Sequence, residues 1–122
     1  MGSSVKTLPN LAKLPEITTA GGAFNGCTSL TTVPSNVFSS NTKLKNIDGF
    51  FDGCTGITSN ISNILDNLTE LTTARGLFYN SGIKGIVPKG FLKNNRKLTD
   101  ASIMFALSKI TGLNPLFLDD ED

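Results

Sequence analysis

The chain of 122 residues has no histidine and no tryptophan, only two cysteines, and one tyrosine, Tyr79. Each shortage excludes something. Without histidine the commonest general base and a frequent metal ligand are missing. Two cysteines do not make a disulfide framework in this length. No run approaches the roughly 18 apolar residues of a membrane-spanning helix. The formal net charge is +1, so no global field favours nucleic acid or an anionic membrane. Met1-Gly2-Ser3-Ser4 lacks the basic and apolar stretches of a signal peptide. Residues 1–7 read instead as an N-terminal tail or cloning scar. Apolar residues make up 39%, below the globular norm, which points to a thin or elongated core.

What the sequence does have is a period. Phe24, Phe51, Phe78 and Phe105 recur at a step of 27. The columns Leu11/Phe38/Leu65/Leu92, Ile17/Leu44/Leu71/Leu98, Ala20/Ile47/Ala74/Ala101 and Ala23/Phe50/Leu77/Met104 keep the same step. The register slips once. Leu30 and Ile57 follow their Phe by six residues, Ile83 and Ile110 by five. A turn tolerates such a loss where a packed column does not. Full units run over 24–50, 51–77 and 78–104, with partial units at 8–23 and 105–118. A step of about 20–29 residues with few apolar positions is the leucine-rich-repeat regime. One such unit cannot bury its apolar face alone, whereas stacked units share a core. The expected fold is therefore an α/β, right-handed leucine-rich-repeat solenoid over 8–118, with an acidic tail at 119–122.

Within a unit, residues 44–47 and 71–74 read as short extended segments. Gly49 and Gly76 permit tight turns after them. A second extended segment follows at 30–33 and 83–87. SNVFSSN, SNILDNL and KGFLKNN read as helices of one to two turns. Pro34 and Pro88 suit their first turn, with Asn41 and Asn94 as terminators.

These residues resemble the BspA-like bacterial leucine-rich repeats, whose pattern is close to LxxIGxxAFxxCxxLxxIxxP. ITTAGGAFNGCTSLTTVP, LKNIDGFFDGCTGI and LTTARGLFYNSGIKGIVP follow it in turn, with Ser81 replacing the cysteine in the third. The pair Met104-Phe105 is similar to the marker of a related surface-protein repeat. The resemblance covers residues 8–118. It implies a non-enzymatic, adhesin-like module on a bacterial, phage or virion surface, with a protein or glycan ligand and no cofactor. The alternative is a structural component of a virion or larger surface protein.

The chemistry-bearing residues agree with that. Cys27 and Cys54 share a column with Ser81 and Ser108, which are small rather than reactive, so buried small side chains are expected. A disulfide between consecutive units is the lesser alternative, because parallel side-chain directions suit its geometry poorly. The glycines match neither GxGxxG nor GxxxxGK[ST]. Asp48 falls in the column of Gly21, Arg75 and Ser102, and Asp52 in that of Asn25, Tyr79 and Ala106. Both read as solvated surface. Two features are candidate binding surfaces. The polar slots Thr31, Thr32, Thr58, Ser59, Lys45, Asn46, Thr72 and Thr73 form rows of the kind solenoids present to ligands. Arg75, Lys84, Lys89, Lys93, Arg96 and Lys97 accumulate where acidic residues are absent, as a basic patch or as a solvated face.

Overall fold

A computed structural model describes residues 8, 11–58 and 61–113. The expected tails, 1–7 and 119–122, lie outside them.

The 27-residue units stack in parallel, each on the next. Single parallel bridges join Thr19 to Asn46, Asn46 to Thr73, and Thr73 to Asp100. Around them the backbone divides its N–H groups between two duties. Ala20, Gly22, Phe24 and Gly26 donate to the carbonyls of Asn46, Asp48, Phe50 and Asp52 in the next unit. The residues between them turn back instead: Ala23 donates to Ala20, Asn25 to Gly22 and Cys27 to Phe24. The same alternation recurs from Ile47 to Gly53 and from Ala74 to Asn80. Buried backbone polar groups are thereby satisfied without a long strand.

Such a winding requires left-handed backbone at fixed positions. Gly22, Gly49 and Gly76 have φ of 68°, 61° and 63°, and Ile103 takes the same place with φ 49°. Gly26 and Gly53 are followed in the same way by Asn80 and Leu107. The last unit thus holds a β-branched and a γ-branched residue where earlier units hold glycine or asparagine, a backbone conformation costly for both.

The core is continuous. Phe51 and Phe78 stack face to face, as do Phe78 and Phe105, with centroids 5.3 and 5.8 Å apart. Phe50 packs edge-on to Phe51 and Phe38. Leu44, Ile47, Leu65, Leu71, Ala74 and Leu77 are fully buried. At the two ends the columns open: Leu11, Ile17, Ala20 and Ala23 at one, and Leu98, Ala101 and Phe105 at the other, are only partly buried.

Two expectations need correction. The three proposed helices are not helices; residues 35–40, 62–67 and 89–94 are successive turns. Their bonds skip three residues, as from Val37 to Pro34 and Asn41 to Phe38. Left-handed Asn63 and Gly90 interrupt the second and third of these runs. Among the described residues the one helical piece is a 3₁₀ turn, Leu11–Lys13. The extended segments at 44–47 and 71–74 shrink to the single bridges. Regular sheet forms in the second extended segment expected at 83–87, as β1 (Lys84–Val87) paired in parallel with β2 (Lys109–Leu113).

That sheet sits where the register slips. In the longer turns Leu30 and Ile57 donate to the carbonyls of Cys27 and Cys54. In the shorter ones Ile83 and Ile110 donate to the hydroxyls of Ser81 and Ser108, 3.3 Å away in each case. A serine oxygen accepts the N–H that loses its backbone partner when one residue is deleted; a thiol is a weak acceptor. Cysteine-to-serine replacement and turn shortening are thus one change.

A second period lies over the first. The column Leu14/Asn41/Leu68/Asn95 alternates leucine with asparagine. Buried Asn41 donates through Nδ2 to the carbonyls of Leu11 and Leu14, and Asn95 likewise to Leu65 and Leu68. Asn95, not Asn94, is therefore the counterpart of Asn41; Asn94 is exposed and bonds the Asp66 carbonyl. The column Glu16/Lys43/Glu70/Lys97 alternates in sign, with ion pairs Glu16–Lys43 and Glu70–Lys97.

Candidate functional site

A shallow groove of about 290 Å³ crosses three units. Its floor is the left-handed row Gly22, Gly49 and Gly76, and Asn25, Asp52 and Tyr79 stand along one side. Asp48 and Arg75 stand along the other, and Ile103 closes the end. The floor is low for a local reason. Left-handed backbone selects glycine, and glycine carries no side chain to fill the space. Where glycine gives way to isoleucine, the groove stops: a Cβ on Gly76 would lie 3.9 Å from Ile103 Cδ1.

Asp48 is held in place. Its Oδ1 accepts from the Thr73 hydroxyl at 2.6 Å and from the Arg75 N–H at 2.7 Å, and its own N–H donates to Asn46 Oδ1 at 2.8 Å. The groove thus brings together two carboxylates, a guanidinium, a phenol and an amide on a rigid backbone. That set can hydrogen-bond and stack against a polar ligand. Sequence columns had already lined up Asp48 with Arg75 and Asp52 with Tyr79. The concavity between the columns was not legible, because it depends on the left-handed glycines lying side by side.

The polar slots divide. Asn46 and Thr73 form the bridges beside the groove, and Lys45 and Thr72 precede them. The Asn46 amide and the Thr73 hydroxyl serve Asp48, and the Thr72 hydroxyl donates to the Lys45 carbonyl. Thr31, Thr32 and Thr58 are exposed on the second segment. Thr58 borders a hollow of about 110 Å³ with Lys84, Ile86 and Pro88. Ser59 lies outside the described residues. Of the basic residues, Arg75 faces the groove and Lys84 begins β1. Lys93 lies 3.9 Å from Asp66, and Lys97 lies 2.8 Å from Glu70. Lys97 beside it holds the Glu70 carboxyl below its ordinary value. Lys89 and Arg96 are exposed. These six residues sit at different positions of the unit rather than in one row.

Cys27 and Cys54 are buried free thiols. The Cys54 thiol donates to the Phe24 carbonyl, 3.1 Å away. Burial pushes its pKa up to about 11. Among the described residues no group of three or more cysteine, aspartate or glutamate side chains could hold a metal ion.

No protein-family model matches the chain. No curated protein matches it either. Among solved structures it is similar to a leucine-rich-repeat protein of T. pallidum, at 16% identity and a TM-score of 0.30, over 92% of this chain and 74% of that one. A likeness at that level carries no argument about function, and what this chain does has to be read from its own stacked surface.

Proposed function

We propose that the chain is a non-enzymatic binding module: a short leucine-rich-repeat solenoid of the BspA-like kind that recognises a protein or glycan at a bacterial or phage surface. The observation that carries this is the groove. It runs across three stacked units, is lined by Asn25, Asp52 and Tyr79 on one side and Asp48 and Arg75 on the other, and lies on backbone hydrogen-bonded from unit to unit. A ligand meeting such a surface costs the protein little ordering. The non-enzymatic reading is supported by a sequence without histidine and by thiols that are buried, with that of Cys54 held protonated. A near-neutral charge supports a ligand other than nucleic acid. The two basic residues nearest the repeat's ion pairs, Lys93 and Lys97, are matched by carboxylates.

Glycan and protein arrays probed with the labelled chain test the reading. A saturable hit is expected, and Asp52→Ala combined with Tyr79→Ala should weaken it at least tenfold while leaving the melting temperature unchanged. Undiminished binding by that double variant would remove the groove from consideration. Arrays without any saturable hit would sink the module reading.

The second reading, a component of a larger assembly, is favoured by a different observation: the apolar columns are only partly covered at both ends of the stack.

A further inference from the structure

The two ends of the stack are not alike. Within the molecule, each unit donates four N–H groups forward, as Ala74, Gly76, Phe78 and Asn80 do to Asp100, Ser102, Met104 and Ala106. The last unit has the same four donors, Ala101, Ile103, Phe105 and Leu107, and none meets an acceptor among the described residues. The first unit has the matching acceptors, the carbonyls of Thr19, Gly21, Ala23 and Asn25, and no described donor reaches them. Among the described residues, then, one end is a row of bare N–H groups and the other a row of bare C=O groups, at the same spacing.

We propose that the C-terminal face of this chain docks on the N-terminal face of a second copy, continuing the internal stacking across the junction. Three further features fit that occupant. The first is charge. The column Glu16/Lys43/Glu70/Lys97 alternates, and the next residue in register is Glu16 of the second copy, so the alternation continues through the junction. The second is the apolar columns. Partly buried Ile17 and Ala20 of one copy fall over partly buried Leu98 and Ala101 of the other. The third is shape. Ile103 and Leu107 of the last unit remain exposed. On the N-terminal face their column partners are Gly22 and Gly26, where an added Cβ would meet nothing within 4 Å. Unpaired strand-like edges of this kind template pairing with another chain. Because the two faces differ, the contact is head-to-tail, and it builds a ring if the rotation closes or an open filament if it does not.

This inference is independent of the ligand groove, and the array experiment and the following one fail separately. Sedimentation velocity of the full chain over a wide concentration range should show a mass that rises past two copies. Glu16→Lys sets a lysine against Lys97 of the neighbour, and Lys97→Glu sets a glutamate against Glu16 of the neighbour. Each single variant should raise the concentration at which association is half complete by about two- to fivefold, the worth of an exposed ion pair. The double variant restores opposite charges at the junction and should return that midpoint to the wild-type value. An effect arising within each chain would instead add in the double variant, since both internal pairs are then reversed to like charges. A single-copy mass at every concentration, a plateau at two copies, or no recovery in the double variant would overturn the proposal.

Discussion

At the residue scale, the recurring cysteine is a packing element with a measurable electrical signature. Cys54 is fully buried and its thiol pKa is raised from 9.0 to about 11, chiefly by loss of solvation. A raised thiol pKa means that folding favours the neutral form. The associated stability is fully present below pH 9, where the unfolded thiol is also neutral, and is lost as pH rises towards 11. Against a Cys54→Ala variant, the wild type should therefore hold a constant stability difference below about pH 9. It should then lose about 2–3 kcal/mol of it by pH 11. Urea unfolding at several pH values measures this. A difference that stays flat to pH 11 would mean the thiol is solvated. Ile103 and Leu107 show the opposite relation between residue and site. Their left-handed backbone suits glycine, and both side chains are largely exposed, so neither the backbone nor burial inside one chain accounts for them.

At the element scale, the lesson lies in the turns. The apolar columns were legible because a packed interior tolerates no change of spacing. The phenylalanine column and the columns through Leu44 and Ile47 are buried as read, except where the stack ends. The helices were not legible as what they are. SNVFSSN and SNILDNL carry apolar residues at positions that a one-turn helix and a run of turns both bury. In SNILDNL what separates the two is left-handed backbone at Asn63, which asparagine tolerates without requiring. The slip between Ile57 and Ile83 was visible, but not its effect, which is to bring a serine hydroxyl to a stranded N–H and let β1 form beyond it. Neighbouring units press together at this turn in the full-length unit as well as the shortened one: a Cβ on Gly56 would lie 2.6 Å from the Thr28 carbonyl oxygen. A Cβ on Gly82 would lie 2.3 Å from the Thr55 carbonyl oxygen and 2.8 Å from that of Ile57. Both obstacles are backbone and cannot rotate away. Gly82→Ala should cost about 1–3 kcal/mol or more through overpacking, read as a fall in the denaturation midpoint. Gly22→Ala meets no obstacle and should show only the smaller cost of its left-handed φ.

At the scale of the whole molecule, stability is a sum of unit and interface terms, and the interfaces dominate because no unit has a core of its own. Phe51 is fully buried, stacks on Phe78 and touches Phe50. Its truncation opens a cavity at the middle interface. Phe51→Ala should cost on the order of 3–5 kcal/mol, which in a chain of this length approaches the whole of its stability. Calorimetry should show one transition lost or strongly lowered. An unchanged melting temperature would show that the phenylalanine column does not hold the stack together.

The alternation of asparagine with leucine and of glutamate with lysine has a consequence for how such a chain can change length. Residues 11–18 agree with 65–72 at Leu11/Leu65, Leu14/Leu68, Glu16/Glu70 and Thr18/Thr72, a step of two units rather than one. Excising one unit so that the first meets the third would set Glu16 on Glu70. It would also place Leu14 on Leu68, with no amide to cap the carbonyls beneath. Excising two would leave every column in phase. Growth and shortening of this architecture therefore obey a parity rule, and the heritable module is the pair.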